Sequence, residues 1–150
     1  MKQTPLEMKI QARMQPGTIT LSGFLGTDER HYHAIIAEDE QTLARLGKTA
    51  EEIADRLDYF TKASWDSFVT PVVIDNLYEV ETEITRGKLP CPFTHKGIYR
   101  KAITTLTHLN NGIVLRWTTL NIHLIRDHHF FEGTGSPFRL DPEQVVKALF

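Results

Sequence analysis

The stretch Leu77-Tyr-Glu-Val-Glu-Thr-Glu-Ile-Thr85 decides the fold. Leu77, Glu79, Glu81 and Glu83 fall on one side of an extended chain, and Tyr78, Val80, Thr82 and Ile84 on the other. A period of two with one apolar and one charged side belongs to a strand buried on one face only, the habit of antiparallel sheets. The neighbouring segments agree. Ile98 to His108 reads as a second strand, Asn110-Asn-Gly112 as a turn that tolerates positive φ, and Ile113 to Trp117 as the return strand. Val72-Val-Ile74, ahead of the turn at Asp75-Asn76, is a short strand. Thr18 to Phe24 alternates with β-branched residues and is expected to be another.

Helices are read from caps and apolar stripes. Thr49-Ala-Glu-Glu52 is a capping box opening a helix over residues 50–63, with Ile53, Leu57 and Phe60 on its apolar face. Thr27 is predicted to cap a helix over 28–46 that Gly47 ends. Glu38-Asp39-Glu40 interrupts its stripe: either one helix exposes an acidic patch, or Asp39 caps a second helix. Thr118 or Thr119 caps a helix over 119–129, and Asp141-Pro142 begins one over 142–149. Leu6, Met8 and Ile10 alternate, so the N-terminus is read as an edge strand or a flexible arm over 1–16. Pro90 and Pro92 make residues 87–97 an irregular connection. The sum is a single α+β domain over residues 1–150, a mainly antiparallel sheet covered by about four helices.

At 150 residues, 41% hydrophobic and 24% charged, the chain needs no disulfide to build a core. No apolar run is long enough for a membrane span, and the N-terminus carries no signal-peptide core, so no membrane partner is expected. The single cysteine, Cys91, cannot form an internal disulfide, which suits a cytoplasmic location. A net charge of −2 argues against a nucleic-acid partner held by phosphate contacts. That figure conceals a split. Residues 1–85 carry 8 Lys/Arg and 15 Asp/Glu, a charge of −7, and residues 86–150 carry 9 and 4, a charge of +5. Five of the seven histidines lie in the basic part.

Four constellations carry candidate chemistry. In His123-Leu-Ile-Arg-Asp-His128-His129, His123 and Asp127 stand one helical turn apart, while His123 and His128 diverge by about 140° around the axis. His95, His108 or Cys91 would have to complete a metal site with them. In Leu89-Pro-Cys-Pro-Phe-Thr-His95-Lys-Gly97, Cys91 is a candidate nucleophile whose thiolate Lys88 and Lys96 would favour, or a metal ligand beside His95. Gly133-Thr-Gly135-Ser136, with Arg126 and Arg139, offers amides and charge to an anion. Glu79, Glu81 and Glu83 form a carboxylate row.

Thr42 to Leu57 resembles the first part of a helix-turn-helix: a helix, a glycine turn, a threonine cap and Glu-Ile-Ala. The resemblance covers sixteen residues, and residues 27–65 carry 5 Lys/Arg against 9 Asp/Glu, which opposes DNA.

The sequence leads to three expectations. The first is a small binding or accessory protein whose basic, histidine-rich C-terminal half takes an anionic ligand or an acidic partner. The second is a metal-dependent hydrolase built on His95, His123 and His128, with Asp127 and Cys91 as the other candidate catalytic groups and a divalent metal as cofactor. The third is a homo-oligomer pairing acidic and basic halves.

Overall fold

In a computed structural model that describes residues 4–67, 70–94 and 97–150, the chain forms five helices and one four-stranded antiparallel sheet. The order is α1 (Pro5–Arg13), α2 (Tyr32–Leu46), α3 (Ala50–Ala63), β1 (Val72–Ile74), β2 (Tyr78–Pro90), β3 (Ile98–His108), β4 (Val114–Thr118), α4 (Thr119–His128) and α5 (Pro142–Leu149). The strands lie in sequence order, each paired with the next. This is the α+β architecture that the alternation at 77–85 implies.

The two faces of the sheet follow that alternation. Tyr78, Val80, Thr82, Ala102, Thr104, Leu106, Leu115 and Trp117 are buried beneath the helices. Glu79, Glu81 and Glu83 lie on the opposite side, across from Thr107, Thr105 and Ile103 of β3, with Glu79 and Glu83 exposed. The buried face includes hydroxyls, and these satisfy one another. Thr82 Oγ1 lies 2.9 Å from Thr104 Oγ1 and 2.7 Å from Ser64 Oγ, and the Trp117 indole donates to Thr61 Oγ1 at 2.8 Å. Buried polar groups cost little when paired in this way.

Three local expectations need correction. The N-terminal segment is a helix. Thr4 and Glu7 form a reciprocal capping box around Pro5, and Ile10 and Met14, one turn apart, are buried. Thr18 to Phe24 is a succession of turns and bends, because its amides are used locally. Gly17 donates to Thr20 O at 2.8 Å, Gly23 to the same oxygen, and Phe24 to Met14 O at 2.9 Å. Gly23 has φ +65°, and a Cβ there would sit 2.5 Å from Met14 O, so the turn is closed against the end of α1. Finally, β2 continues to Pro90 where an irregular connection is expected. The register slips between Ile84 and Lys88 around Gly87, at φ +103°, and pairing resumes from Lys88 opposite Arg100.

Helix α2 starts four residues later than predicted. His31 caps it, its Nδ1 accepting from the His33 amide, while Thr27 donates its hydroxyl to Thr134 O. The acidic triplet neither breaks the helix nor stands idle. Glu38 pairs with Arg30, Asp39 is buried against Arg139, and Glu40 meets His129. The capping box at Thr49, the cap at Thr118 and the Asp141-Pro142 start are all as read from the sequence. Helices α2 and α3 reproduce the helix-turn-helix-like spacing around Gly47, but no further helix follows α3 among the described residues before β1. No helix of the described residues is long and apolar enough to cross a membrane.

Candidate metal centre

The connection after β2 lies against the last turn of α4, and this places Cys91 beside two histidines. Cys91, His123 and His128 each offer a ligand atom, and the three atoms lie within 4.8 Å of one another. Cys91 Sγ is 3.6 Å from His128 Nε2. Cys91 is buried and both histidines are half-buried. Arg13 of α1 holds the loop by donating to Cys91 O at 2.8 Å, and the Phe93 amide donates to Cys91 Sγ at 3.5 Å.

The rings are fixed from the side. Phe93 stacks on His128 with centroids 4.0 Å apart and planes 3° from parallel. Tyr99, on β3, stacks on His123 at 4.5 Å. His123 Nδ1 is 2.8 Å from Asp127 Oδ2, one turn along α4. The 140° divergence of His123 and His128 is overcome because the imidazoles reach past their own Cβ atoms toward a loop lying over the helix. Their ring centroids are 5.1 Å apart. Cα spacing along one helix is a poor guide when the third ligand comes from another element.

Burial pushes the Cys91 thiol up to about 11, against the pull of the Phe93 amide and the charge of Arg13. A free thiolate nucleophile at neutral pH needs the opposite shift. A metal reverses this balance, because a coordinated thiol is deprotonated outright.

The other candidates lie elsewhere. His108 accepts from the Asn110 and Asn111 amides at the β3–β4 turn. His129, at φ +54°, bridges Glu40 at 2.7 Å and Glu51 at 3.0 Å, which raises its pKa despite burial. His95 and Lys96 lie outside the described residues. Arg126 is paired with Asp55, and Arg139 holds buried Asp39 through two bonds of 2.5 and 2.9 Å. Three of the Gly133–Ser136 amides already serve the chain. Gly133 donates to Phe24 O, Thr134 to Asp28 Oδ2 and Ser136 to Gly133 O. A Cβ at Gly133 or Gly135 would meet Leu25 O or Thr27 Oγ1 within 2.5 Å, so these glycines serve close packing.

No protein-family model matches this chain, and neither does a curated protein or a solved structure. The site therefore has to be read from its own chemistry. Phe93 and Tyr99, which orient the imidazoles, are missing from the residues singled out in the sequence. Their sequence signal is slight, one aromatic two residues after Cys91 and one at the start of β3. Beside the cluster, a cavity of about 560 Å³ is lined by His123, Asp127, Tyr99, Trp65, Lys62 and Arg126 among others.

Proposed function

We propose that the protein holds one divalent transition metal, zinc by the chemistry of its donors, on Cys91 Sγ and the imidazoles of His123 and His128. The observation that carries this reading is the convergence of three such donors, from two separate segments, within 4.8 Å. Zinc bonds near 2.3 Å to sulfur and 2.0–2.1 Å to nitrogen set a tetrahedral S···N edge of about 3.6 Å. The Cys91 Sγ to His128 Nε2 distance of 3.6 Å already matches it. Thiolate with imidazole is also a donor set suited to zinc. The Asp127 carboxylate accepts from His123 Nδ1–H, so His123 ligates through Nε2 in the carboxylate–histidine–metal arrangement. Phe93 and Tyr99 hold the two rings in place.

His95 follows Cys91 by four residues in sequence and is the candidate that this spacing offers for a fourth donor. A fourth protein donor would close the centre, and the metal would tie the connection after β2 to α4. The cavity beside His123 favours a second reading. With the fourth position left to water, zinc would lower the pKa of that water to about 7 and the centre would support hydrolysis.

Elemental analysis of protein produced with added zinc is expected to return about one equivalent, and under about a tenth in Cys91→Ser and His123→Ala. Wild-type protein holding under a tenth of an equivalent ends the proposal. The hydrolytic reading is checked with p-nitrophenyl acetate and bis(p-nitrophenyl) phosphate. Turnover by the zinc-loaded protein should exceed that of free zinc and disappear in His123→Ala. Full zinc occupancy without turnover on either ester leaves the metal a tie between segments.

A further inference from the structure

A second site lies where the outer part of the β2–β3 ribbon meets the segment after α4. One cavity of about 310 Å³ has apolar walls from Leu89, Ile103, Leu120 and Phe138, with Arg100 and Lys101 also lining it. A second, of about 190 Å³, shares Leu89, Leu120 and Phe138 and is also lined by Glu132 and Ser136. The wider one is at the lower end of the size of small-molecule pockets, which are largely apolar with a few placed polar groups.

The charged residues lining the wider cavity, Arg100 and Lys101, are both cations, while Glu83 stands opposite its wall residue Ile103 in the register. Arg30, Arg45, Arg126 and Arg139 each hold a carboxylate. Arg100 and Lys101 are exposed, and among the described residues neither makes an ion pair. Lys88 stands directly opposite Arg100 in the register, a like-charge pair that cross-strand packing disfavours. Arg86 adds a further cation on the same ribbon. An anionic group among these side chains would relieve their repulsion.

From this lining we infer that the adjoining cavities bind a small monocarboxylate with an apolar tail, the tail over Leu89, Leu120 and Phe138 and the carboxylate on Arg100 and Lys101. The site is independent of the metal centre and requires no metal. It also moves the anionic-ligand expectation from Arg126 and Arg139, which are paired, to cations that are not.

The test uses the full chain and 8-anilinonaphthalene-1-sulfonate as a fluorescent occupant, displaced by octanoate or by its neutral counterpart octan-1-ol. Octanoate should displace the dye at about tenfold lower concentration than octan-1-ol, the effect of a charge-assisted contact. In Arg100→Gln/Lys101→Gln, both at exposed positions, that gap should shrink to about threefold or less. Ile103→Trp, which fills the wider cavity, should weaken both ligands. Equal displacement by the two ligands, a gap unchanged in the double variant, or no displacement in wild-type protein whose melting temperature is normal overturns the proposal.

Discussion

Removing zinc from the native protein is expected to lower its melting temperature by roughly 8–16 °C, and Cys91→Ser is expected to abolish that dependence. A ligand that binds only the folded chain, present at about a thousand times its dissociation constant, adds about 4 kcal/mol. For a chain of this size each kcal/mol moves the midpoint by about 2–4 °C. The unfolded chain keeps little of the affinity, because Cys91 and His123 are brought together only by the fold. Serine is chosen because it retains a donor toward His128 Nε2 while failing as a soft ligand at neutral pH. The metal-free melting points of wild type and Cys91→Ser should therefore stay close, and only the zinc-dependent increment should differ. Asp127→Asn should keep the stoichiometry and weaken affinity about 10–100-fold, as expected when a metal-bound imidazole loses its carboxylate. An equal zinc-dependent shift in wild type, Cys91→Ser and His123→Ala would mean that the ion binds elsewhere.

The sheet and three of the helices are legible because their signals are local. Alternation from Leu77 to Ile84 fixes a buried face whatever packs on it, and the Thr49–Glu52 capping box fixes the start of α3. The N-terminal helix was equally legible in principle. Thr4-Pro-Leu-Glu7 has the same capping signature, but the alternation of Leu6, Met8 and Ile10 competes with it, and Leu6 and Met8 are in fact exposed. Thr18 to Phe24 misleads for the converse reason. Its β-branched residues favour a strand, yet among the described residues no strand lies beside it to take its amides.

The candidate centre divides along the same line. His123, His128 and Asp127 are neighbours on one helix, so their grouping is visible in the sequence. That Cys91 joins them depends on Arg13 and the α1 packing that hold the connection after β2, a tertiary fact with no local signal. The charge split is explained by the fold too. Arg126–Asp55, Arg139–Asp39 and His129 with Glu40 and Glu51 each pair a basic group of the C-terminal part with a carboxylate of the acidic part, so some of the excess is neutralised within the molecule.

Replacing Glu132 by Gln should make the protein more stable at pH 8 and leave it nearly unchanged at about pH 5. Glu132 is buried at φ +67°, two residues before a tight turn. Burial raises its pKa from 4.5 to about 7, outweighing hydrogen bonds from Ser136 and Asn121 and the charge of Arg139. Arg139 does not neutralise it, because both guanidinium arms are committed to Asp39 and one also donates to the Glu132 carbonyl. The folded protein thus keeps a proton that the unfolded chain has already lost between about pH 4.5 and 7. Wherever the folded state binds more protons, stability falls as pH rises, so the loss accrues across that window and levels off above it. Over this span it approaches about 3 kcal/mol. His129 contributes in the same direction at higher pH, since its pKa is raised by Glu40 and Glu51 and its contribution fades as it deprotonates. The difference between variant and wild type isolates Glu132 from that background. Gln reproduces the neutral acid: its carbonyl accepts from Asn121 Nδ2, and its amide donates to Ser136 Oγ, which lies 2.6 Å from the carboxylate oxygen it replaces. The expected gain at pH 8 is about 2–3 kcal/mol, or roughly 4–12 °C in melting temperature. Parallel stability curves for the two proteins from about pH 5 to 8 would remove Glu132 as the source, whereas convergence toward pH 5 assigns the slope to this one buried proton.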